Sequence, residues 1–230
     1  MTSTLAGVFG LGGGVLLIVL MPGFIPPGAI LPLHAVVQLA SNASRAGFDL
    51  GQIDRGIIPW VVLGGTLGTL IGGSLYLSID LDLLPVAIGL VILLITWAPL
   101  PKLRGTNNSA LVLLGFYQAS LGMIAGATGP LGAAVLLQRD TRRDWLVINT
   151  AVTMAISHLL KIIAFMAMGF LFADYLLLML ALVIAVTVGS WAGTKLRGLV
   201  PEINFAFWFK LLLSALALRI IATALISQGI

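Results

Sequence analysis

Apolar runs of roughly membrane-crossing length recur along the chain. An α-helix needs about 17–25 such residues to cross a hydrocarbon core. Eight runs can be placed, at residues 2–21, 29–48, 57–77, 84–99, 109–137, 145–168, 174–194 and 203–226. Short polar connectors part them, and the longest is "PLPKLRGTNNS" at 99–109. The pattern predicts an all-α polytopic membrane protein. It forms one integral domain built as two four-segment repeats, residues 1–105 and 106–230. The opening "MTSTLAGVFGLGGGVLL" has no basic leader and reads as the first membrane segment rather than a cleaved signal.

Polar residues break the apolar pattern at two places. In "HAVVQLASNASR", at about 100° per residue, His34, Gln38, Ser41 and Arg45 share one helical sector. Asn42 flanks it, and Val36, Val37, Leu39, Ala40 and Ala43 form the opposite face. In "TAVTMAISHLLK", Thr150, Thr153, Ser157 and Lys161 share a face, with His158 at its edge and Asn149 nearby. Polar side chains inside a membrane face the bundle interior or an aqueous path by default. Each has a plainer use. Ser and Thr bond back to their own helix, Arg and Lys snorkel to the interface, and a lone His packs. Two matching stripes point to a substrate path.

The stripes match in register. A shift of 116 positions carries Gly10 to Gly126, Gly13 to Gly129, Ala35 to Ala151 and Ser41 to Ser157. It also carries Arg45 to Lys161, Gly73-Ser74 to Gly189-Ser190 and Pro85 to Pro201. Internal duplication is a common way to build a transporter.

Charge then sets the relation of the halves. Arg45 and Arg55 mark one connector of the first half, and Lys102 and Arg104 another. Between these pairs lie only Asp80 and Asp82. Lys and Arg favour cytoplasmic connectors. In the second half, Arg139, Arg142 and Arg143, then Lys195 and Arg197, fall in connectors equivalent to the non-basic ones of the first half. Equivalent connectors of opposite character predict inverted repeats. Inversion needs an even number of crossings between Arg104 and Arg139. The run "ALVLLGFYQASLGMIAGATGPLGAAVLL" is too short for two full crossings, so it reads as a re-entrant hairpin of two half-length arms turning at "GMIAGATGP". The alternative is eight full spans in parallel halves, with basic connectors on both faces.

"GLGGG" at 10–14 and "GATGP" at 126–130 occupy the same place in each half. Glycine weakens a helix by about 1 kcal/mol per residue, and Pro130 lacks a backbone donor. Broken backbone at membrane depth survives only where protein or a water-lined cavity satisfies it. Exposed N–H groups at a helix start attract anions. Gly12, Gly13 and Gly14 in one break, and Thr128 and Gly129 in the other, are therefore candidate substrate contacts. The glycines of "GGTLGTLIGG" (64–73) read instead as close helix packing. No strand precedes either break, so neither is a dinucleotide loop.

Composition agrees. Of 230 residues 60% are hydrophobic and 9% charged, against about 25% charged in a soluble domain. The net charge of +4 sits in connectors and implies no nucleic-acid partner. Absence of cysteine excludes thiol and iron–sulfur chemistry. No Asp or Glu lies in either stripe, which suits a small, oxygen-rich anion rather than a cation. Lys210 and Arg219 add positive field or meet lipid phosphates.

At these residues the chain resembles the TauE/SafE sulfite-exporter family. The resemblance rests on "GVFGLGGGVLL", "HAVVQLASNASR" and "GMIAGATGPLG" followed by "TAVTMAISHLLK", and covers nearly the whole chain. It implies a multi-pass permease of the bacterial inner membrane for sulfite or organosulfonates. The second motif is GATGP where a fuller glycine run is expected, so the halves need not contribute equally. The expected site comprises Gly12, Gly13, Gly14, His34, Gln38, Ser41, Asn42, Arg45, Thr128, Gly129, Thr153, Ser157, His158 and Lys161. No ATPase motif is present, so transport is secondary or passive, with no cofactor. Expected partners are the anion and membrane lipids, and a homodimer is compatible. A passive anion channel is the alternative. A membrane-embedded enzyme is the remote one, because no carboxylate pair or nucleophile–base pair lies at depth.

Overall fold

The computed structural model describes residues 13–22, 24–80, 82–97, 107–126, 128–196 and 205–227. These residues form α1 (Gly13–Leu20), α2 (Pro27–Gly47), α3 (Ile58–Ser78), α4 (Leu84–Trp97) and α5 (Asn108–Ala125). They continue as α6 (Gly129–Leu136), α7 (Arg143–Ala167), α8 (Leu176–Leu196) and α9 (Phe205–Ser227). Single 3₁₀ turns lie at Leu50–Gln52 and Phe172–Tyr175. Four helical stretches are long and apolar enough to cross a membrane: Ile58–Ser78, Asn108–Ala125, Arg143–Ala167 and Phe172–Gly189. The polar stripe makes α2 less apolar, yet its 21 residues rise about 31 Å.

The run at 109–137 is two helices of unequal length, not two half-length arms. α5 has 18 residues and is long enough to cross by itself, whereas α6 has eight. Nothing in "NSALVLLGFYQASLGMIA" breaks a helix, and Asn107 caps its start by accepting from the Ala110 N–H. Gly126 ends it with φ of 77°, a left-handed cap that glycine adopts without penalty. Thr128 then precedes α6, where proline falls in the first turn and costs no hydrogen bond.

Glycines set the closest approach. Gly64, Gly68 and Gly72 of α3 face the backbone of Val112, Phe116 and Ser120 of α5. Both series ascend, so the helices are parallel. A methyl group at Gly64 or Gly68 would overlap a backbone carbonyl oxygen, and at Gly72 it would sit 2.6 Å from that of Ser120. This is the small-residue packing the glycine run predicted.

α2 and α7 run antiparallel. The His34 ring lies beside that of His158, and Ala46 packs with Ala151 and Val152. Two apolar clusters bracket this pair. One gathers Val15, Ile18, Ile30, Leu31, Leu33, Leu84, Ile88 and Phe165. The other gathers Ile57, Val61, Leu111, Leu114, Leu136 and Trp145. Leu111 and Leu136 share that cluster, so α5 leaves one end of the bundle and α6 returns to it. At the same end Arg139 pairs with Asp54 at 3.2 Å. There too Asn149 donates to the Gln52 carbonyl and accepts from the Asp54 N–H, each at 2.8 Å.

Candidate substrate site

α6 begins inside the bundle against the α7 stripe, and the first described residues of α1 lie against the α2 stripe. Gly13 opens α1, and Gly14 follows; Gly12 lies outside the described residues. His34 Nε2 donates to the Gly14 carbonyl at 2.9 Å. A methyl group at Gly14 would sit 2.9 Å from Gln38 Oε1. α1 therefore starts at the level of His34 and Gln38 and runs away from the Asp54 end, toward Ile30 and Leu31.

The second break meets the other stripe. Thr128 Oγ1 donates to the Gln118 carbonyl at 3.2 Å and lies 3.9 Å from Met154 Sδ. Gly129 is the next residue and the first of α6. A methyl group at Gly132 would sit 2.5 Å from Gln118 Nε2 and 3.4 Å from Thr153 Oγ1. α6 runs from here toward the Asp54 end, opposite to α1.

Between the breaks lie the two histidines, ring centroids 5.7 Å apart and 70° between planes. Lys161 Nζ donates to the carbonyls of Gly122 at 2.8 Å and Gly126 at 3.4 Å. It thereby caps the last turn of α5, a favoured place for a cation. Ser157 Oγ and Lys161 Nζ both flank Gly122. A methyl group at Gly126 would overlap Ile18 and sit 3.2 Å from His34 Nδ1.

The structure brings Gly14, His34, Gln38, Thr128, Gly129, Thr153, Ser157, His158 and Lys161 to this centre. Ser41, Asn42 and Arg45 line the same helix further toward the Asp54 end. Arg45 lies about three turns, roughly 16 Å, along α2 from His34. Lys161 lies beyond His158 on the other side. The two cations therefore flank the centre from opposite sides rather than meeting. Asn42 Nδ2 donates to the Gln38 carbonyl at 2.8 Å, and Arg45 Nη2 lies 3.5 Å from Ser41 Oγ. Thr153 Oγ1 donates back to the Thr150 carbonyl. Lys210 and Arg219 are exposed on α9, with Lys210 over the Trp97 ring at 5.5 Å, so neither lines the centre.

Every stripe side chain named here is buried, Arg45 being the most exposed at 6%. Yet several polar atoms lack a partner among the described residues. They are His34 Nδ1, both ring nitrogens of His158, Gln118 Oε1, Thr150 Oγ1 and Thr69 Oγ1. Buried polar groups are normally hydrogen-bonded, and leaving one unmet costs about 1–3 kcal/mol. Those of His34, His158 and Gln118, near the start of α6, are suited to a polar ligand. Among the described residues no group of His, Cys, Asp and Glu could hold a metal. Gln118 was not expected at the site. The signal for Gln118 was a lone amide in the middle of an apolar run, the kind of intramembrane polar residue that faces a cavity.

A buried polar lane thus runs through an apolar helical bundle with four stretches long and apolar enough to cross a membrane. The chain belongs to the TauE/SafE sulfite exporter family, whose sequence model, described as Sulfite exporter TauE/SafE, matches residues 1–220 of 230. No curated protein and no solved structure matches it.

Proposed function

We propose that the protein is a secondary transporter for sulfite or an organosulfonate, moving the anion between two inverted repeats in a bacterial inner membrane. The observation that carries this reading is the cluster of unpartnered buried polar atoms between the starts of α1 and α6. The start of α6 directs N–H groups inward, which favours an anion. Lys161 and Arg45 supply positive charge, and no carboxylate lies in α1, α2, α3, α5 or α6. An inside-negative potential favours export of whatever net negative charge is moved, by about 2.3 kcal/mol per charge per 100 mV. Burial of the whole lane favours a carrier over an open channel.

The repeat reading is supported by element positions. A shift of 116 carries α1, Gly13–Leu20, onto α6, Gly129–Leu136, and these helices run toward opposite ends. Arg45 and Lys161, equivalent by that shift, flank the histidines from opposite sides. Single cysteines at Gly28 and Thr141 should label from opposite faces of the membrane. Labelling from one face would sink the inversion.

Purified protein in liposomes should transport one or more of sulfite, sulfate, thiosulfate and sulfonates, with saturable counterflow. Lack of flux for all four would overturn the anion reading. Unsaturable conductance would replace the carrier with a channel.

A further inference from the structure

His34 is held in one tautomer. Its Nε2 faces the Gly14 carbonyl at 2.9 Å, and a carbonyl oxygen only accepts. Nε2 therefore carries the hydrogen, and in the neutral ring Nδ1 is left as a bare acceptor. That atom is buried without a partner. It points to Gly126, where a methyl group would sit 3.2 Å away, beside the carbonyl that Lys161 caps.

An anion entering here brings only acceptors. Acceptor against acceptor in a desolvated site is repulsive, and burying an uncompensated charge is costly. The Lys161 ammonium is already engaged by two carbonyls. No acid is near enough to compete for a proton. From α7, His158 and Lys161 face His34. The sequence of α1 has no ionisable side chain, and in α5 the sole one, Tyr117, is exposed. α8 carries its single ionisable residue, Lys195, next to its C-terminal residue, and Asp174 of the preceding 3₁₀ turn is exposed. On α2 itself, Arg45 is about three turns away.

We infer that His34 Nδ1 takes up one proton with each anion, so the protein moves anion and proton together. This rests on the anion-transport reading above. A proton from water at the open face forms an N–H bond with the Nδ1 lone pair. The imidazolium then donates from both nitrogens, Nε2–H to Gly14 and Nδ1–H to the anion. When the anion leaves, the proton returns to water at the opposite face, and His34 regains its neutral tautomer.

The test uses the full-length protein in liposomes holding a pH-sensitive dye, with labelled methanesulfonate and labelled sulfite as separate probes. Methanesulfonate is permanently ionised, so any proton moving with it is carried by the protein. The expected result is uptake of methanesulfonate with one proton per anion. A pH gradient of one unit, acid outside and with no membrane potential, then supports about tenfold accumulation. His34→Gln, which keeps an amide N–H for Gly14, is expected to lower methanesulfonate uptake severalfold, and what uptake remains should not acidify the lumen. Methanesulfonate uptake by the wild type with no proton overturns the inference and leaves anion transport standing. So does uptake of sulfite alone, because hydrogensulfite brings its own proton. Uptake of neither anion removes the anion-transport reading and this inference together. The wild-type proton ratio decides the matter even if the variant does not fold.

Discussion

The stripes on α2 and α7 carry similar residues at equivalent positions but use them differently. On α2 the polar groups mostly stay at home. Asn42 bonds the Gln38 carbonyl, Ser44 the Ala40 carbonyl, and Arg45 approaches Ser41. His34 reaches another helix, at Gly14. On α7 the groups reach out. Asn149 ties down the connector at Gln52 and Asp54, and Lys161 caps α5 at Gly122 and Gly126. On α7, Asn149 and Lys161 are spent on tertiary contacts, while Thr153 bonds its own helix. On α2, Asn42 and Ser44 donate within their own helix.

This contrast is most exposed at its two cations. Lys161→Ala should take the side-chain donor from the Gly126 carbonyl and one of two donors from that of Gly122, which keeps the Gly126 N–H, at about 1–3 kcal/mol, and lower both thermal stability in detergent and anion flux. Arg45→Ala should lower flux as well, and unchanged flux in either variant would remove that cation from the path. A smaller effect is expected at the asparagines. Asn149→Ala should cost about 1–3 kcal/mol because a connector loses its anchor. Asn42→Ala should cost about 0.5–1.5 kcal/mol because one bond on its own helix is lost. A reversed order, read from paired thermal melts, would show that α2 is the structural wall.

The pair Asp54–Arg139 sharpens the same picture at the connector end. Its side chains are 25% and 32% exposed, so Arg139→Gln should cost about 1 kcal/mol or less, and less again in high salt. A loss matching Asn149→Ala would make the ion pair, not the amide, the main tie. The smallest effect belongs to Asp140, in the connector beyond α6. Hydrogen bonds from Arg142 hold its carboxyl below the ordinary carboxylate range. Any stability it adds is present above the usual carboxylate pKa and fades as pH falls through the lowered one. A carboxyl titration by NMR should show that lowered midpoint, and Arg142→Gln should raise it without changing flux. A change in flux would bring this connector into the transport path.

Much of the fold was legible because membrane crossing imposes length and apolarity on the chain. The glycines at 64, 68 and 72 announced a close contact, since their spacing puts them on one helix face. The stripes were legible because a 3.6-residue period sorts polar from apolar residues. What failed was the length of the hairpin arms. Apolarity alone does not tell where a helix stops, and Gly126 stops α5 only after 18 residues. Gln118 was missed because a single polar residue makes no periodic pattern.

The sequence by itself determined which residues are apolar, where backbone breaks are tolerated, and which faces of α2 and α7 are polar. These are local properties, set by side-chain chemistry and helical geometry. The tertiary structure alone decided that Lys161 caps another helix, that Arg45 stands on the far side of the histidines, and that His34 turns an empty acceptor toward Gly126. Those outcomes depend on which backbone atom lies across the gap. Such atoms come from segments about 20 to 40 residues away in sequence, and only packing brings them together.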